Sequence, residues 1–422
     1  MKKVILTAFA LVLGVSLALA QANKSAIDVN GDSNKQTVDQ TGSNNSSTVA
    51  QGEVAGNTSG PATANFSDAF VTQTGADNTA LTNQNGNNNL GVQTQTGDRN
   101  SASINVQRDF NTGAPQAGPG FADGNEHRQT QTGNDNVATA SAFNGPNLGI
   151  QNQTGDLNES KLQQSGGVSM NEAYLDQVGN VNLIFARQTG SSYSDVDIDQ
   201  IGNNNLAKTD QTGDDNSATV LQEGNGNRVG GPTTTGPFSQ NFGIIQDGSD
   251  NDASVTQKGN GNIGSIDQMG DLNKAVQTGS GDGNVVSNMQ TGNSNLARTE
   301  IWGDGNDVSV DQMGDDNNFY MNLRGTPPAP GGSVDNNGVD ATQDGNGNTI
   351  SGYFGFDSDN NTVDLLQTGD NNNIGASTFA GDGVMIDGDM NGVNIIQDGN
   401  DHSSLNSIMG NGNATTVTQN NN

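Results

Sequence analysis

The chain has 422 residues, 59 glycines, no cysteine and a formal net charge of −31, and only 30% of it is hydrophobic and 4% aromatic. An ordinary globular domain is nearly half apolar, so a chain this long lacks the large side chains to fill several thick cores. The acidic balance excludes nucleic acid as a partner, because phosphate binding needs clustered Lys and Arg, and the absence of cysteine excludes a disulfide scaffold. Two classes remain: a disordered polar chain, or a repeat protein with a very thin interior.

Residues 1–20, MKKVILTAFALVLGVSLALA, combine a basic start at Lys2 and Lys3, an apolar run and a small-x-small site at Ala18-Leu19-Ala20. This is the pattern of a secretory signal peptide cleaved before Gln21. No long apolar stretch follows, so membrane insertion after cleavage is not expected. Residues 21–28 read as a short post-signal segment, and 29–422 as a repeat array.

The array is built on Gln-x-Gly-x-x-Asn. Val29, Gly31 and Asn34 open it in degenerate form, and Gln40 follows 11 residues later. Next come Gln73-x-Gly75-x-x-Asn78 and Gln84 with Gly86. A later run gives Gln200, Gly202 and Asn205, then Gln211, Gly213 and Asn216, then Gln222. Another gives Gln246, Gly248 and Asn251, then Gln257, Gly259 and Asn262, then Gln268. Ile301 replaces glutamine before Asn306, and Gln312 with Gly314 returns on time; Ile386, Asn391, Gln397 with Gly399, Ile408 and Gln419 keep the frame to the end. Four stretches break it, near 109–128, 142–149, 228–239 and 324–333, and they hold eight of the nine prolines. Proline cannot donate in a sheet ladder, so these are expected to bulge from turns as loops.

The six residues after each Asn alternate. In Asn216-Ser-Ala218-Thr-Val220-Leu-Gln222 one parity carries Asn, a small residue, a β-branched residue and Gln, while the other is mixed. Period 2 marks a strand with one buried face. The x-Gly-x-x between strands is a tight turn, with glycine supplying unusual backbone angles. Each 11-residue unit is therefore one strand plus one turn, and two units make an arch of about 22 residues that cannot bury its face alone. Stacked arches give an all-β fold, an amyloid-like β-solenoid. In such a stack each buried Gln or Asn amide donates to one neighbour and accepts from the other. Gln73, Asn78, Gln84, Gln200, Asn205, Gln211, Asn216, Gln222, Gln246, Asn251, Gln257, Asn262, Gln268, Asn306, Gln312, Asn391 and Gln397 are the expected ladder residues. Gly75, Gly86, Gly202, Gly213, Gly248, Gly259, Gly314 and Gly399 are the expected turn glycines.

Gln-x-Gly-x-x-Asn-x-Ala-x-x-x-Gln resembles the curlin repeat of curli subunits, with Gln211 to Gln222 a near-complete match and Gln73 to Gln84, Gln200 to Gln211 and Gln246 to Gln257 equally good. The resemblance implies a secreted structural protein that polymerises into extracellular amyloid fibres on a Gram-negative-type bacterium, serving adhesion and biofilm matrix. It also implies export through an outer-membrane secretion pore, and a nucleator, as further partners. The chain departs from familiar curli subunits in its length, its proline-bearing insertions and its heavy aspartate content. Ordinary repeats at both ends predict head-to-tail self-association, because an uncapped end templates another chain.

No catalytic, metal or cofactor site is expected. Only His127 and His402 are available, and the GxGxxG from Gly259 to Gly264 belongs to the repeat turn rather than to a dinucleotide site. Asp-rich turns at Asp28 to Asp32, Asp282 and Asp304 keep an alternative open: a monomeric acidic solenoid adhesin that binds calcium or a surface ligand.

Overall fold

A computed structural model describes residues 22–52, 65–107, 124–143, 145–165, 170–230, 243–323, 334–355, 358–375 and 383–421. The segments 1–20 and 324–333 lie outside the described residues.

The period-2 segments are strands. In Asp195–Ile201 the residues Val196, Ile198 and Gln200 are buried and the alternate residues face outward. The β-branched residues fit this half-buried pleat. Among the described residues every strand belongs to one of two sheets of 17 strands. Chain-consecutive strands alternate between the sheets except at three pairs that share a level, and within each sheet every pairing is parallel and in register. Thus Asp195–Ile201 pairs with Ser217–Glu223, with Val196 on Ala218, Ile198 on Val220 and Gln200 on Gln222. Leu206–Thr212, in the other sheet, pairs with Leu183–Thr189, with Gln188 on Gln211.

The sheet that begins with Lys24–Val29 also ends the chain, with Ala414–Asn420; it is called here the first sheet. The second runs from Lys35–Ser43 to Asn406–Met409. Neither closes on itself, so the fold is a two-sheet β-solenoid, as the repeat predicts. One strand position, or level, of the first sheet is shared by Arg228–Val229 and Ile244–Asp247. Two levels of the second are shared likewise, by Asn373–Ile374 with Val384–Asp387 and by Ser403–Ser404 with Asn406–Met409. The 17 strands of each sheet therefore make sixteen levels in the first sheet and fifteen in the second. The interior between them is thin, a file of Val, Ile and Ala with Phe319 and Phe354 toward the C-terminal end.

Several expected boundaries move. Lys24 to Asp28, set outside the array as part of 21–28, join Val29 in its first strand, Lys24–Val29, with Ser25, Ile27 and Val29 in the slots of Ser47, Val49 and Gln51. The stretch 142–149 is mostly strand: it takes in the end of Val137–Phe143 and the start of Asn147–Thr154, with only 144–146 between them. Ala142 fills the Gln slot and Asn147 the Asn slot, and Gly145 supplies the positive φ (63°) that the turn needs. Of 109–128, residues 126–128 already belong to Glu126–Thr132. In 228–239, Arg228 and Val229 are strand, and the chain departs in mid-level rather than from a turn.

Most repeat turns use two positive φ angles, one at the motif glycine and one two residues later. The second position holds Gly226, Gly261, Gly283 and Gly305, but elsewhere Asp135, Leu157 and Val181. Val181, exposed and at φ 61°, is β-branched in a region that costs an L-residue about 1–2 kcal/mol. Val181→Gly relieves that strain and returns part of it through the freer unfolded chain. The expected outcome in equilibrium urea unfolding is a gain of about 0.5 kcal/mol.

Candidate functional site: amide ladders and end rungs

The strands deliver the repeated amides into continuous columns. In the second sheet Gln40, Gln73, Gln95, Gln131, Gln153, Gln177, Gln200, Gln222 and Gln257 form one ladder, each Nε2 donating to the next Oε1. Gln200 donates to Gln222 at 2.8 Å and, through its other N–H, to the Leu183 carbonyl across the core at 3.2 Å. In the first sheet an unbroken ladder runs through Gln164, Gln188, Gln211, Gln246, Gln268, Gln290, Gln312, Gln343, Gln367, Gln397 and Gln419. Gln84 belongs to a shorter one, accepting from Gln51 at 2.7 Å; above it Val106 and Ala142 take the slot.

The asparagines stand at the strand entrances. The Asn205 backbone N–H donates to Asn182 Oδ1 at 3.0 Å, and its Nδ2 to the Gly224 carbonyl at 2.9 Å. Asn78, Asn262, Asn306 and Asn391 continue this column on one edge, and Asn216 and Asn251 lie in its counterpart on the other. The two ladder types point oppositely: glutamines donate toward the C-terminal end, asparagines toward the N-terminal end. A buried amide left unpaired costs about 1–3 kcal/mol, so the stack turns a liability into register.

Two further columns escape the motif. Gln93 donates to Gln129 and Gln129 to Gln151, two residues before the main ladder. Outside the core, where an Asp or Asn follows the turn glycine, it accepts the backbone N–H of the preceding level. Asn203 N donates to Asn225 Oδ1 at 3.0 Å, Asn260 N to Asp282 at 2.7 Å, and Asp282 N to Asp304 at 2.7 Å. Recurrence of Asx directly after the glycine was the available signal. The expected turn glycines all take positive φ, from 101° at Gly213 to 131° at Gly248. In the second sheet the ladder stops at Gln257. Gly279 follows, and then an apolar column of Ile301, Leu323, Phe354, Ile386 and Ile408.

The family model of the Curlin associated repeat matches residues 194–224, 202–230 and 213–259. The chain carries the curlin-associated repeat. The matches together span Asp195–Ile201, Leu206–Thr212 and Ser217–Glu223, which carry Gln200, Gln211 and Gln222, and all three share the last of these strands. No curated protein matches the chain. The curlin-repeat family is one of structural proteins, and the ladders are the structural content of its repeat.

The ends of this curlin-repeat array differ from its middle. Lys24–Val29 is exposed along its whole length, Ile27 and Val29 included. At the other end Thr415, Val417 and Gln419 are half-buried while their neighbours are exposed. Among the described residues each end strand is paired on one side only, and Ala414–Asn420 still shows the inward and outward alternation in its burial. Gln419 Nε2 donates to the Ser403 carbonyl at 3.0 Å, the cross-core half of the bonding pattern that interior ladder glutamines complete with a further glutamine.

Charge is arranged on the outward faces. Asp195, Asp197 and Asp199 have their carboxyl pKa values raised, first by burial and then by neighbouring carboxylates. Such groups favour the folded state as pH falls. His127 acts in the other sense. It is fully buried in an inward slot, between Gly91 and Gly149 of the adjacent levels, and a Cβ at Gly149 would overlap its Nδ1. Burial pushes its pKa down to about 4. The unfolded chain binds a proton near pH 6.5 and the folded chain does not, so stability is lost as pH falls from about 6.5 to about 4. The window is worth about 3 kcal/mol. His127→Ala is expected to abolish that part of the pH dependence, read as the difference between wild-type and variant unfolding free energies at pH 7 and pH 4.5.

Proposed function

We propose that this protein is a secreted structural subunit that assembles head to tail into extracellular curli-like amyloid fibres, serving cell adhesion and biofilm matrix. The observation that carries the reading is the pair of end strands, Lys24–Val29 and Ala414–Asn420, each paired on one side only among the described residues and each in register with the repeat slots. An open parallel edge recruits another strand, and distinct top and bottom surfaces give a non-closing contact and hence a filament. The outward Asp and Ser residues hydrate the fibre and slow premature association. Removal of residues 1–20 on export, passage through an outer-membrane pore and seeding by a nucleator belong to the same proposal. No helix among the described residues is long and apolar enough to cross a membrane.

The test is thioflavin T fluorescence with fibre diffraction on the processed chain, residues 21–422, with and without calcium. Seedable fibres without calcium, with a meridional reflection near ~4.7 Å, are the expected result. A stable monomer whose β-sheet signal needs calcium overturns it in favour of the calcium adhesin. The turn carboxylates Asp282 and Asp304 already serve as ladder acceptors, so calcium is expected to leave the fold unchanged.

A further inference from the structure

We propose that successive copies join with a half-turn about the solenoid axis, so that the first sheet of one copy continues into the second sheet of the next. The proposal rests on the head-to-tail reading above. Its first support is parity. The described chain starts and finishes in the same sheet, and consecutive strands climb by half a level. After Ala414–Asn420 in the first sheet, the next strand position belongs to the second. A copy added without rotation puts its Lys24–Val29 on Ala414–Asn420, and its Lys35–Ser43 then leaves one empty strand position above Asn406–Met409. A copy turned by half a revolution fills both positions: Lys24–Val29 lies on Asn406–Met409, and Lys35–Ser43 lies on Ala414–Asn420.

The side chains at this joint support it independently. The repeat register gives Gln40 and Gln419 the same slot, with Val38 matching Val417 and Gln36 matching Thr415. On the other side Val29 meets Ile408 and Ser25 meets Ser404. Ladder polarity agrees: the glutamines donate toward the C-terminal end, so Gln419 Nε2 faces Gln40 Oε1 of the added copy. The eleven-glutamine ladder from Gln164 to Gln419 then runs on into the nine-glutamine ladder from Gln40 to Gln257. The apolar column ending at Ile408 runs on into Val29. Without rotation Gln419 faces Val29, and Ile408 and Gln40 stand on either side of the empty position, leaving buried amides without partners.

The chain has no cysteine, so engineered pairs report the joint. Thr416, Thr37 and Ala26 all face outward and are exposed. Residues level with one another on adjacent parallel strands lie within the reach of a disulfide. Fibres of the Thr37→Cys/Thr416→Cys variant, mildly oxidised, are expected to run as a ladder of covalent oligomers on a denaturing gel. Fibres of Ala26→Cys/Thr416→Cys are expected to stay monomeric on that gel. The opposite pattern, or fibres in which neither pair links, overturns the half-turn joint while leaving fibre formation intact. Failure of the wild-type chain to form fibres is the distinct outcome that removes the head-to-tail reading itself, and the joint with it.

Discussion

Gly202→Ala is expected to lower the unfolding free energy by about 4 kcal/mol, summing strain and overpacking terms of similar size. Gly202 has φ +122°, and a Cβ there would overlap the Gly224 carbonyl oxygen of the next level. That backbone region belongs almost to glycine alone, and forcing another residue into it costs about 1–3 kcal/mol. The overlap cannot relax cheaply, because the Gly224 N–H is bonded to the Ile201 carbonyl at 2.9 Å. Moving Gly224 pulls a rung contact apart, and overpacking of this kind adds about 1–3 kcal/mol. Gly226→Ala is the control. Its φ is +68° and nothing lies within 4 Å of an added Cβ, so only the left-handed penalty of about 1–2 kcal/mol applies. Urea unfolding of freshly desalted monomer, followed by far-ultraviolet circular dichroism, reads both. Equal losses at the two positions would show that the close stacking of turn glycines carries no energy beyond backbone preference.

The stacking of Gln and Asn was readable because two periods coincide. Alternation by two residues assigns Ala218, Val220 and Gln222 to one face, and the 11-residue return places Gln200 and Gln222 one above the other. Where a slot was filled by another residue type, the sequence misled. Ser25 and Ile27 alternate correctly with Val29 but carry neither Gln nor Asn, so the first strand up to Asp28 read as a leader segment. Ala142 to Asn147 keeps the frame, but a Gly-Pro pair signals a break in any local reading. The interruption after Val229 was misplaced for a different reason: Arg228–Val229 and Ile244–Asp247 become one level only through their shared neighbours. The Asx column outside the core was visible as Asp or Asn after each glycine, yet turn propensity accounted for it so readily that its hydrogen bonds went unsought. The parity that fixes the half-turn joint depends on how many levels each sheet holds, which no single repeat contains.

Gln211→Leu is expected to cost about 3 kcal/mol, because it strands two buried groups at once. Gln188 loses the acceptor of its N–H and Gln246 the donor to its Oε1, each worth about 1–3 kcal/mol when unpaired in the interior. The apolar side chain itself is not the problem, since the corresponding slot of the second sheet holds Ile301, Leu323 and Phe354 in succession. What matters is the boundary between an amide run and an apolar run. In the second sheet the chain makes that boundary at Gly279, where no side chain meets the end of the ladder at Gln257. The double variant Gln211→Leu/Gln246→Leu therefore strands the same number of groups as the single one: the N–H of Gln188 and the Oε1 of Gln268. Its cost is expected to match that of either single substitution rather than their sum, giving a coupling of about 3 kcal/mol in a double-mutant cycle. Additive losses would assign the effect to local packing and remove the ladder as the element that fixes the register of this fold.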